Sequence, residues 1–126
     1  MSQGSQSEKE EMEMVVTTDS GLQYQIMKEG VGKGAQVGEE VLIFETTMYR
    51  DDTVLYSNED TDQPIKVKLG AGQVLAGIEE GLQGMREGEV RKMMIPAELA
   101  RRKFYPDHIS PDSALVVKMI LFDILK

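Results

Sequence analysis

Few side chains in this sequence could do chemistry, and most are spaced wrongly for it. The single histidine, His108, stands beside Asp107 with no second histidine to complete a zinc site, and a lone loop imidazole is ordinarily just solvated. The carboxylates at Asp51-Asp52 and at Glu59, Asp60 and Asp62 do not follow a calcium-loop spacing and read as turn residues. Gly70-Ala71-Gly72 precedes a helical pattern, but no Gly-Lys-Ser/Thr follows, and Glu79 and Glu80 near the helix start would oppose a phosphate. Ser20 and Ser57 lack the glycines of a nucleophile elbow. The chain has no cysteine, which removes disulfide frameworks, thiolate metal sites and cysteine nucleophiles together. No metal or cofactor is expected.

These residues must be positioned by one small domain, since 126 residues match a single core. With 22 acids against 14 bases, a net charge of -8, the chain repels phosphate backbones, so nucleic acid is not an expected partner. Its apolar runs fall far short of the ~20 residues a membrane span needs, and no apolar signal core follows the N-terminus. The expectation is a soluble chain, cytoplasmic or exported after loss of a signal. Residues 1–17 read as an acidic, disordered tail and residues 18–126 as the domain.

Within the domain, Leu22, Tyr24 and Ile26 alternate with polar residues, as strands require. Glu40 to Tyr49 is rich in Val, Ile, Phe and Thr and turns at Arg50–Thr53 into Val54-Leu55-Tyr56. Short strands are expected over 66–69 and 89–95 and a long one over 113–126, with Leu115, Val117, Met119 and Leu121 on one face. Apolar residues at 75, 78, 82 and 85 predict one helix, with Gly88 as the left-handed cap beyond it. Four to six antiparallel strands around a short helix make an α+β domain.

The sequence resembles the FKBP family of peptidyl-prolyl cis-trans isomerases from about Ser20 to Lys126. The anchors are Ser20-Gly21-Leu22-Gln23-Tyr24, Lys28-Glu29-Gly30, Leu69-Gly70-Ala71-Gly72-Gln73-Val74-Leu75-Ala76-Gly77, Glu80-Gly81-Leu82, Gly88-Glu89, Ile95-Pro96 and Ile109-Ser110-Pro111. The resemblance implies a curled antiparallel sheet of about five strands wrapped around the helix, with a pocket between helix, sheet and the 97–111 loop. It also implies chemistry without acid, base or metal. Rotation about a prolyl amide has a barrier of about 20 kcal/mol, and a pocket that desolvates the bond and fits its twisted form lowers it.

Carried over residue by residue, the resemblance assigns Val74 and Leu75 to the pair opening the helix, where the second backbone N–H receives a substrate carbonyl. Leu55 takes the catalytic wall, Ile65 the rim, Ile78 the floor and Val117 the last strand, each an aliphatic where the family has an aromatic. Ile109 keeps the loop isoleucine, and Arg101 falls near the loop tyrosine. A tyrosine and an aspartate of the family are exchanged here for Glu45 and Tyr56, and a Tyr56–Glu45 hydrogen bond inside the pocket is expected because a buried polar group needs a partner.

The partners implied are proline-containing or unfolded polypeptide and macrolide ligands. Two other readings stand beside isomerisation. The five aromatic or phenolic positions of the family that are now Glu45, Leu55, Ile78, Arg101 and Val117 suit a chaperone-like binding module. The outward Val116, Ile120 and Phe122, with only Lys118 between them, suit a homodimer or docking surface on the last strand. Arg101-Arg102-Lys103 would favour an acidic ligand at the rim.

Overall fold

The computed structural model describes residues 15–101 and 113–125. Segments patterned with period two fold as β1 Val15–Thr17, β2 Gln23–Lys28, β3 Glu40–Met48, β4 Val54–Ser57, β5 Ile65–Lys68, β6 Val90–Ile95 and β7 Leu115–Leu125. One α-helix, α1 Ala76–Leu82, and a 3-10 turn at Ala97–Leu99 complete the described residues. The strands form one sheet in the order β1-β2-β6-β7-β3-β4, with β5 also paired to β3. All pairings are antiparallel. Register irregularities at Ile26/Lys28, Leu42/Ile43 and Thr47/Met48 are bulges of the kind that bend a sheet, here around α1.

The expected α+β architecture is therefore present, with seven strands where about five were expected. One of the additional pieces is β1, which takes Val15–Thr17 out of the segment read as tail. Three residues are too few to show alternation, but Val-Val-Thr are β-branched and find an exposed sheet edge in β2.

Odd-numbered residues of β3 and, as far as Leu121, of β7 point inward. Val41, Ile43, Val117, Met119 and Leu121 are fully buried, as are Met93 and Ile95 from β6 and Leu82 from α1. Each such side chain contributes about 1.5–3 kcal/mol by leaving water. The helix lies close on this face because it carries glycine at its contact points. A Cβ added at Gly77 would meet Ile95 Cγ2 at 2.5 Å, and one at Gly81 would meet Met93 Sδ at 2.5 Å.

The helix ends a turn earlier than its apolar period suggests. Gly84, at φ 84°, breaks the chain away, whereas Gly88 belongs to the turn into β6, its N–H bonded to Leu121 O at 2.8 Å. Met85 still reaches the core at 0% exposure, which explains why it falls in the helical pattern without being helical. The carbonyls freed at the helix end are taken by a side chain from β6. Arg91 Nη1 donates to Gly81 O at 3.2 Å and to Gln83 O at 3.4 Å.

Candidate functional site

The residues assigned from the sequence gather where β3, the longest inner strand but one, meets its neighbours. Along one edge β3 pairs with β7 throughout. Along the other it pairs with β5 at Glu40–Ile43 and with β4 at Thr46–Met48. The gap between β5 and β4 is filled by Asn58, which is 6% exposed. Its Oδ1 accepts from Glu45 N at 2.7 Å, its own N–H donates to Glu45 O at 3.2 Å, and its Nδ2 donates to Ile43 O and Gln63 O at 3.3 Å each. A side chain thus stands in for a stretch of strand, fixing β4 and the start of β5 against β3.

On this frame the apolar residues assigned from the sequence come together. Ile78 of α1 is 4% exposed and Val117 of β7 is 0% exposed, both in the core cluster. Leu55, Ile65, Val74 and Leu75 are partly buried and packed against the same cluster. Leu75 is the residue preceding α1, with φ -58° and ψ 148°. Its carbonyl accepts from Glu79 N at 2.9 Å, while its N–H donates to no protein acceptor among the described residues. The loop leading to it is fastened by side chains, since Gly70 N donates to Glu79 Oε1 at 2.6 Å and Lys68 N to Gln73 Oε1 at 2.9 Å. Glu79 therefore braces the loop from within. Ser20 Oγ similarly donates to Glu80 Oε1 at 2.6 Å, tying the β1–β2 turn to the helix.

The polar pair behaves differently from expectation. Glu45 is buried, 8% exposed, but its Oε2 accepts from Thr47 Oγ1 at 2.9 Å. Tyr56 is 45% exposed and is coupled to Glu45 by charge through space. The reason is register: Tyr56 is paired with Thr47, and Glu45 lies two residues further along the same face, so the threonine hydroxyl is between them. Burial around the phenol, and then the Glu45 charge, raise the pKa of Tyr56 above its ordinary 10.0. A folded pKa above the unfolded one contributes stability that is complete below pH 10 and is lost as pH rises through the folded value. The Tyr56 ionisation, taken as the difference in phenolate absorbance between the parent chain and Tyr56→Phe, should have a midpoint above the ordinary value. It should move down in Glu45→Gln, and an unmoved midpoint would remove Glu45 as a cause.

Arg101 is exposed at the end of the 3-10 turn and forms no ion pair among the described residues. Ile109, His108, Arg102 and Lys103 lie outside the described residues. Among those described, no three His, Asp or Glu side chains gather as metal ligands would, and no helix is long and apolar enough to cross a membrane. A separate open cleft of about 340 Å³, lined by Gln23, Arg50, Met94, Pro96 and Val116 among others, contains none of the assigned site residues.

Sequence reasoning missed Thr47, Asn58 and the buried pair Glu89 and Arg91. Arg91 is 6% exposed, bonded through Nε to Glu89 Oε2, and lies 4.3 Å from the centre of the Tyr24 ring. A signal for it was available: Glu89, Arg91, Met93 and Ile95 alternate on one face of a strand whose other members are core residues.

A curled antiparallel sheet around one short helix, with the helix packed on its inner face, defines the class of FKBP-like prolyl-isomerase folds. The sequence profile described as FKBP-type peptidyl-prolyl cis-trans isomerase matches residues 31–122, and the chain belongs to that family. Among its relatives is an FK506-binding protein of Neisseria meningitidis serogroup B, 40% identical over 79 residues, covering 63% of this chain and 72% of the relative. The peptidyl-prolyl cis-trans isomerase Mip of Chlamydia trachomatis is 31% identical over 115 residues, covering 91% of this chain and 46% of Mip. FkpA from Escherichia coli superposes with a TM-score of 0.78 at 25% identity, over 95% of this chain and 58% of FkpA. The chain thus spans about half the length of Mip and of FkpA.

Proposed function

We propose that the pocket binds X-Pro segments of polypeptide and accelerates rotation about the prolyl bond. The observation that carries this reading is the convergence of Leu55, Ile65, Val74, Leu75, Ile78 and Val117 beside a backbone N–H that has no protein acceptor among the described residues. The aliphatic side chains remove water from the amide, weakening the resonance form that depends on solvation. The Leu75 N–H holds the carbonyl of the bound segment, so that the bond turns against a fixed end. No proton is transferred, so neither Glu45 nor Tyr56 acts as acid or base. Their role is polarity at the wall, with Leu55 and Tyr56 flanking the rotating bond and Glu45 behind them. The family resemblance assigns Arg101 and Ile109 to the rim. Macrolide ligands would occupy the same cup.

A second reading is supported by the missing rings. Leu55, Ile65, Ile78 and Val117 contact a proline ring with fewer atoms than aromatic side chains would, and a rate loss of several tens-fold corresponds to only ~2 kcal/mol. The domain would then hold proline-containing or unfolded chain without turning it. The cis-to-trans exchange rates of short X-Pro peptides, measured with and without the full chain at low and moderate salt, separate the two. Acceleration that falls in Leu55→Ala establishes the isomerase. Binding without acceleration establishes the module, and neither result would remove the pocket as the functional site.

A further inference from the structure

The face of the sheet opposite the pocket is more apolar and more basic than the rest of this acidic protein. Val90, Ile120 and Phe44 stand side by side across β6, β7 and β3. Phe122 beside them is 57% exposed, its ring set edge-on to Phe44 at 5.7 Å. The same face carries Lys92 and Lys118, directly paired across β6 and β7, and Lys66 opposite Leu42. Lys118 is held by Glu59 at 3.1 Å, whereas Lys66 and Lys92 make no ion pair among the described residues. Asp123, opposite Leu42, is the acid on the β7 side of this patch.

The chain enters the sheet in register with these lysines. Val15 pairs with Gln25, Gln25 with Lys92, and Lys92 with Lys118, a single cross-strand row. Three strand spacings from β1 to β7 amount to roughly 15 Å. The seven residues before Val15, Glu8-Lys9-Glu10-Glu11-Met12-Glu13-Met14, reach about 23 Å when extended. They hold four acids, one base and two methionines, the charge and the adaptable apolar groups that this face lacks a partner for.

We propose that Glu8–Met14 docks in cis across the outer face of β6 and β7, with Met12 against Val90 and Ile120, the residues before it running past Phe122, and the glutamates beside Lys92 and Lys66. The proposal is independent of what the pocket does, because the two faces are separated by the core.

The absence of cysteine makes the test clean. A nitroxide on Ser7→Cys in the isotopically labelled full chain should broaden the amide signals of Lys92, Lys118, Ile120 and Phe122. Ile78, across the core on the helix, should be broadened less than these. Raising salt to ~0.5 M should cut the effect at least about threefold, as the screening length shrinks to a few ångströms. Phe122→Ser and, separately, Lys92→Glu should do the same while leaving the amide spectrum of the core unchanged. Absent or uniform broadening overturns the proposal. So does broadening that is stronger at Ile78 than on this face, or broadening carried between labelled and unlabelled copies, which would place the segment on a second molecule.

Discussion

Replacing Arg91 by methionine should lower the unfolding free energy by about 3–5 kcal/mol, the cost of leaving a buried charge without its partner. Glu89 is 3% exposed and would retain only backbone donation to Oε1, from Arg86 N at 3.0 Å. The Gly81 and Gln83 carbonyls at the helix end would lose their donor as well. Urea unfolding at constant m-value measures the loss. Adding Glu89→Gln to the same chain should recover a substantial part of it, because the orphaned charge is then removed. A single-variant loss under ~1 kcal/mol would show that Arg91 behaves as a surface charge does.

Leu75→Pro should reduce kcat/KM for X-Pro isomerisation by roughly 10- to 100-fold relative to Leu75→Val, since it deletes one hydrogen-bond donor worth about 1.4–2.7 kcal/mol at the substrate. Ordinary substitution cannot remove a main-chain N–H. Proline can do so here without strain because Leu75 already has φ -58° and lies ahead of the helix. The N–H that disappears is not part of any protein hydrogen bond among the described residues, so thermal stability should change by no more than about 1 kcal/mol. Equal rates for the proline and valine variants would mean that the substrate carbonyl is held elsewhere.

Both predictions concern groups that differ in how visible they are in the sequence. The faces of β3 and β7 were legible because alternation of side chains is a local property, and Leu115, Val117, Met119 and Leu121 are all buried as their spacing implies. The helix was legible through Leu75, Ile78 and Leu82, and its family resemblance identified the residues that now cluster with Val117. What failed depended on cross-strand register. Glu45 and Tyr56 do share a face, but the pairing of Tyr56 with Thr47 gives the Glu45 carboxylate a nearer donor. Residue types fix which face a side chain takes and leave open which neighbour it meets. The end of the helix was hidden for a related reason, because its closing donor is Arg91, which comes from a different element.

Asn58 gives the pocket a property that its lining residues alone do not. Through it, the start of the 59–64 connection is bonded to the backbone of β3 at Ile43 and Glu45, and Glu59 adds an anchor on Lys118. Asn58 Nδ2 also donates to Gln63 O, so the far end of the connection is drawn to the same anchor, with Thr61 Oγ1 donating to Asn58 O between them. Insertions or replacements between Asn58 and Gln63 can change the surface beside Ile65 without shifting β3 against β7, since lengthening a surface loop costs only about 0.6 kcal/mol per doubling. The connection can thus be edited as a cassette while Ile78 and Val117 stay in place in the core.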